Sequence, residues 1–131
     1  MIDEESRNAL IAYRTEQAKQ TALEADILLK NDMLRGAMNR IYYSMFYMLQ
    51  GLSLKHTFES SKHAQLIGWF NKNFVHADKI EIKYSKIITK AYNLRTQGDY
   101  ATIYTPDKQE LLLMYDEMIE FIERLEKLLS E

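Results

Sequence analysis

The chain has 131 residues, a length suited to one domain with a real core. Its 47% hydrophobic and 27% charged residues argue against a disordered or membrane-spanning chain, and no apolar run approaches the ~20 residues a transmembrane helix needs. A net charge of −2 removes any general electrostatic case for nucleic acid, and the absence of cysteine excludes disulfides and thiol chemistry.

Four glycines and one proline leave few helix breakers, so the fold class is read as all-α, with long helices and short connections. The N-terminus MIDEESRNAL is acidic and polar where a secretory signal would be basic and then apolar, which makes the cytoplasm the expected location. A first helix is predicted from about Asp3 to Leu29, because Ile11, Thr15, Ala18, Ala22, Ala25 and Leu29 repeat at helical spacing. The small side chains in that stripe let a neighbouring helix approach closely. Asn31 and Asp32 then form a turn whose side chains are expected to cap the next helix.

That next helix, AMNRIYYSMFYMLQGLSL at 37–54, is apolar almost all the way round and belongs in the middle of a bundle. At about 100° per residue, Ile41, Met45, Met48, Leu49 and Leu52 share one side, with Tyr42 at its edge. Asn39, Arg40, Tyr43, Ser44, Tyr47 and Gln50 share an opposite arc roughly 140° wide. Tyrosines there, each with a rigid apolar body and a polar tip, favour a groove or a dimer face over plain solvent cover.

Ser60 or Ser61 is expected to cap a shorter third helix, in which His63, Ile67, Phe70 and Phe74 form the inward stripe. A fourth helix carries Ile80, Tyr84, Ile87, Ala91 and Arg95 on one stripe and is expected to close at Gly98, with a loop beginning at Asp99 and Tyr100. Thr105 as cap with Pro106 at the first helical position is expected to start the last helix, whose stripe is Leu111, Tyr115, Met118, Ile122, Leu125 and Leu129.

An arginine ending an apolar stripe must find an acceptor, and Asp99 and the Tyr100 hydroxyl are nearest in sequence. Two readings of Arg95 stay open: a guanidinium reaching water at the helix end, or part of a polar pocket. His63 is similarly either a hydrogen-bonded core residue or a ligand group. There is no Gly-rich phosphate loop, no HExxH, no nucleophile elbow and no metal-spaced His or Cys cluster. Glu117, Glu120, Glu123 and Glu126 recur every third residue, yet no Glu stands three before a histidine as a bundle metal site would want, so neither metal nor cofactor is expected.

Three segments, AMNRIYYSMFYMLQGLSL at 37–54, SKHAQLIGWFNKNFV at 61–75 and AYNLRTQGDYA at 91–101, resemble the HEPN superfamily of small helical domains, in particular its stand-alone prokaryotic branch. The resemblance spans most of the chain and implies a single HEPN-like domain over 1–131. It further implies an up-and-down four-helix bundle with one additional short helix, often dimeric and often working beside a minimal nucleotidyltransferase or in nucleotide and RNA biology. The family's polar positions carry over to Asn39, Arg40, Lys62, His63, Arg95, Asp99 and Tyr100, and with Tyr43 these make the expected ligand-binding set. Active HEPN ribonucleases resemble one another in an Arg followed four to six positions later by a His. Here Arg95 is followed by TQGDYATIY, which holds no histidine.

The expected function is therefore a non-catalytic module binding a nucleotide or a partner's phosphate, an accessory to a minimal nucleotidyltransferase. The alternatives are a degenerate or toxin-like metal-independent endoribonuclease and a homodimeric bundle whose polar cluster only satisfies itself.

Overall fold

The structure, a computed structural model, describes residues 2–100 and 105–131, the side chains of 97–100 excepted. Five α-helices follow one another: α1 (Glu4–Lys30), α2 (Leu34–Lys55), α3 (His63–Phe70), α4 (Ile82–Tyr100) and α5 (Lys108–Leu129), and the described residues contain no strand. Asp3 caps α1 by accepting from the Ser6 N–H at 2.7 Å. Asn31 and Asp32 do turn the chain, but they do not cap α2. Asn31 closes α1, its amide donating back to the Ile27 carbonyl at 2.8 Å. Asp32 adopts a left-handed conformation at φ 55° and reaches Lys108 at the start of α5. Met33 stands at the α2 N-cap without a side-chain bond.

α2 is the axis of the packing, in contact with α1, α3, α4 and α5. Ile41, Met45, Met48, Leu49 and Leu52 are fully buried, and every residue from Gly36 to Leu54 is buried or partly buried. The small stripe of α1 lies against it: Ala18 and Ala25 are fully buried and Ala22 nearly so. Gly51 sits at this contact, where a Cβ would meet Arg14 Cβ at 3.7 Å and the Ile11 carbonyl at 3.9 Å. At the end of α2, Lys55 Nζ donates to the carbonyls of Leu128, Leu129 and Glu131, which closes the orphaned last turn of α5.

Three predicted helix ends are corrected. Lys62, not Ser60 or Ser61, is the N-cap of α3; the Ser60 hydroxyl instead accepts from the Lys62 N–H at 3.1 Å and donates to Gln65 Oε1 at 2.6 Å. α4 runs past Gly98 to Tyr100, because a glycine inside a helix weakens it without stopping it; the rest of the expected loop, 101–104, lies outside the described residues. Asp107 caps α5, accepting from the Glu110 N–H at 3.0 Å, and places Thr105 and the buried Pro106 ahead of the helix. A carboxylate at the cap adds a favourable charge at the helix's positive end, which a threonine hydroxyl lacks. After Phe70, a π-helical turn at Asn71–Val75 brings two adjacent residues, Phe74 and Val75, into the core.

The α1–α2 contact yields a paired expectation. Ala25→Leu overfills a fully buried position and is expected to destabilise the protein by about 1–3 kcal/mol. Gly51→Ala meets only ordinary contact distances and is expected to stabilise by about 0.5–1 kcal/mol through helix propensity. Urea melts of the two variants beside the wild type check both signs.

Candidate functional site

The polar arc of α2 is only partly open to water. It meets α3 and α4 in a seam of aromatic and cationic side chains. Helical spacing alone sets Arg40, Tyr43 and Tyr47 in a row along α2, and Tyr92 and Arg95 in a row on α4. α3 begins at His63 and so delivers that ring to the same place.

Tyr43, half-buried, is the hub. The Arg95 guanidinium lies 5.2 Å from its ring centroid and donates from Nη2 to its hydroxyl at 3.0 Å. The Arg40 guanidinium lies 5.5 Å from the same centroid. Arg40 is itself held by Asn39, whose Oδ1 accepts from Nε at 3.0 Å and from Nη2 at 2.7 Å, and it approaches Glu24 at 3.5 Å. Two guanidinium groups thus converge on one tyrosine at a partly exposed face, an arrangement suited to a phosphate or carboxylate.

His63 is packed differently. Its ring stacks on Phe46 at 4.1 Å between centroids and 6° between planes, and Nδ1 lies 2.6 Å from the hydroxyl of fully buried Tyr42. Burial pushes the Tyr42 phenol well above its ordinary range, so the hydroxyl keeps its proton and donates it to Nδ1. Burial, and secondarily the Arg95 charge, hold His63 below its ordinary value of 6.5. The imidazole is therefore neutral at pH 7, with Nε2 protonated. In that state the ring is a donor, and its one lone pair is already engaged.

Of the residues expected at the site, Asn39, Arg40, Tyr43, His63 and Arg95 come together. Lys62 does not join them: its exposed side chain lines a groove of about 570 Å³ with Arg14, Gln50 and Phe58. The side chains of Asp99 and Tyr100 lie outside the described residues; among those described, Tyr43 on α2 accepts from Arg95. Ser44 is fully buried and donates to the Ile41 carbonyl at 2.9 Å, which removes it from the arc's polar surface. Tyr42, Phe46 and Tyr92 belong to the cluster and were not among the expected ligands; Tyr92 lies 5.7 Å from Tyr42 and 6.3 Å from His63. The spacing of Tyr92 three residues before Arg95 was the available signal, since it puts both on one face of α4. Glu120 and Glu126 on α5 are spent on Lys83 and Lys19.

A HEPN domain family model matches residues 11–128. A UPF0332 protein of Thermotoga maritima is similar at 29% identity over 95% of both chains. A protein of Methanocaldococcus jannaschii named as a candidate toxin is 35% identical over 88% of this chain and 86% of its own, and a second so named in that organism is 30% identical over 72% and 65%.

The depressed His63 pKa fixes the sign of a pH effect. As pH falls below 6.5, the unfolded chain takes up the proton before the folded protein does, so stability is lost on the acid side of that value. His63→Phe keeps the stack on Phe46 and removes the titration, so its melting temperature is expected to fall less than the wild type's between pH 7.5 and 5.5. The residual fall is assigned to His56, held low by burial and then by Lys55 and Lys79.

Proposed function

Because this chain belongs to the HEPN family, we propose that it is a non-catalytic binding module whose Arg40, Tyr43 and Arg95 face takes the phosphate of a nucleotide or of a partner molecule. The observation that carries this reading is the convergence of two guanidinium groups on one half-buried tyrosine beside a histidine already spent on Tyr42. Metal-independent RNA cleavage wants a base and an acid near pKa 7 on opposite sides of the phosphodiester, each worth about 10²–10⁴ in rate. His63 is the one imidazole in the cluster, and using it as a base would require its bond to Tyr42 to reverse, leaving the buried phenol proton without an acceptor. The Tyr42 phenol, pushed up by burial, holds its proton too tightly for the second role.

In this reading the four long helices run up and down as a bundle with α3 added, and residues 1–131 act as one domain in the cytoplasm. The molecule works as a homodimer beside a minimal nucleotidyltransferase. A second reading, a toxin-like endoribonuclease, is favoured by the names of the two Methanocaldococcus relatives.

Thermal shift with AMP and with inorganic phosphate tests the binding reading. A ligand-dependent rise in Tm is expected for the wild type and none for Arg40→Ala, whose partly exposed side chain is dispensable for folding. Failure of both ligands to move the wild-type Tm would leave a cluster that satisfies only itself. Incubation with labelled single-stranded RNA in EDTA decides the second reading: no cleavage is expected, and cleavage that disappears in His63→Ala would make the protein a ribonuclease.

A further inference from the structure

Arg40 and Arg124 each hold a carboxylate, those of Glu24 and Glu81. Arg7, Arg14 and Lys62 form no ion pair among the described residues: the Arg7 side chain donates to the Ile2 carbonyl at 3.4 Å, and that of Arg14 to Gln17 Oε1 at 2.8 Å. All three line one groove. Arg14 and Lys62 border its wider part, about 570 Å³ between α1, the end of α2 and the α2–α3 connection; Arg7 borders a second part of about 420 Å³, and Leu54 and Glu59 belong to both. Three cations against the one carboxylate of Glu59 leave this lining positive, in a chain whose net charge is −2.

Two polar atoms of the lining are unmet. Arg14 Nε and Gln50 Oε1 are shut off from solvent and have no hydrogen-bond partner among the described residues. A buried donor and a buried acceptor left without partners cost free energy, which a ligand offering the complementary pair recovers. Both sit on side chains that line the groove, and a turn of the Gln50 amide or of the Arg14 guanidinium presents them to it. Leu10, Leu54 and Phe58 supply apolar surface beside them.

A peptide meets each of these demands. Its backbone carries a carbonyl for the Arg14 donor and an N–H for the Gln50 acceptor, and an apolar side chain covers Leu10, Leu54 and Phe58. From Arg7 to Arg14 is seven residues of α1, about 10 Å, the length of three residues of extended chain. Carboxylates at that separation reach cations in both parts of the groove. Glu59, common to the two parts, excludes a ligand that is negative throughout: a nucleic-acid strand repeats its charge at every unit, whereas a peptide is neutral between its acidic side chains.

We propose that this groove binds an extended peptide segment of a partner protein, in which acidic residues about three apart flank an apolar one. The inference is independent of the phosphate face, since Arg40, Tyr43 and Arg95 take no part in the groove.

Panning random heptapeptides displayed on phage against the full chain tests the peptide's chemistry without knowledge of the partner. Enrichment of sequences with acidic residues on both sides of an apolar one is expected; a pool with no acidic excess overturns the proposal. Fluorescence anisotropy with the most enriched peptide, synthesised and labelled, then places it. Lys62→Glu and Arg7→Glu are each expected to weaken binding about tenfold, while Lys86→Glu, the same charge change at an exposed lysine on α4 outside the groove, leaves it unaltered. Gln50→Met, which removes the acceptor and no charge, is expected to weaken binding about threefold with unchanged circular dichroism. A peptide indifferent to Lys62→Glu overturns the assignment to this groove. So does a labelled single-stranded RNA whose binding Lys62→Glu abolishes and the peptide fails to displace.

Discussion

A helix buried along most of its length dictates much of this structure. From Ala37 to Leu54 most of α2 is covered by its neighbours, so the polar groups it buries must be satisfied from within the protein or cost the free energy of a lost hydrogen bond. Ser44 and Ser53 solve this locally, donating to the carbonyls of Ile41 and Gln50 three residues back. Tyr42 and Tyr43 cannot, because a phenol reaches too far from its own backbone. Their hydroxyls call for groups on other helices, His63 on α3 and Arg95 on α4. The cluster read as a binding face is thus also what fixes α3 and α4 against the central helix.

The stripes of this fold were legible in the sequence and its joints were not. Ile41, Met45, Met48, Leu49 and Leu52 on α2, and Met118, Ile122 and Leu125 on α5, are buried as their 3.6-residue period requires, since burial of one helix face leaves a local, periodic trace. Helix ends depend on competition between neighbouring residues, and there Asp107 prevailed over Thr105 and Lys62 over the two serines. The candidate site was legible in membership more than in wiring. Asn39, Arg40, Tyr43, His63 and Arg95 were each singled out, but a bond from Arg95 to the Tyr43 hydroxyl, fifty-two positions away, leaves no trace in spacing. No periodicity encodes a bond between Tyr42 and a ring twenty-one residues downstream on another helix.

The small residues of α1 face inward and several of its large ones outward. Alanines against α2 allow close approach, and Gly51 on the facing helix extends that closeness, so α1 adheres to the core through backbone proximity more than through side-chain bulk. Bulk displaced from the inner face is what remains on the outer one. α5 packs through bulkier residues, Met118, Phe121 and Leu125 among them, with lysine contacts added near both ends: Lys108 reaches Asp32 in the α1–α2 turn, and Lys55 gathers the last carbonyls.

The π-helical turn after α3 gives the protein an intrinsic optical probe. By admitting both Phe74 and Val75 to the core, it leaves Trp69 on the side of the helix where it lies flat against Phe58, at 5.2 Å and 9°, and edge-on to Phe74 at 5.5 Å. Trp69 is the one tryptophan in the chain, and it rides on the same short helix that carries His63. Its emission consequently reports the seating of α3 on the rest of the molecule, without a label and at a distance from the arginines themselves.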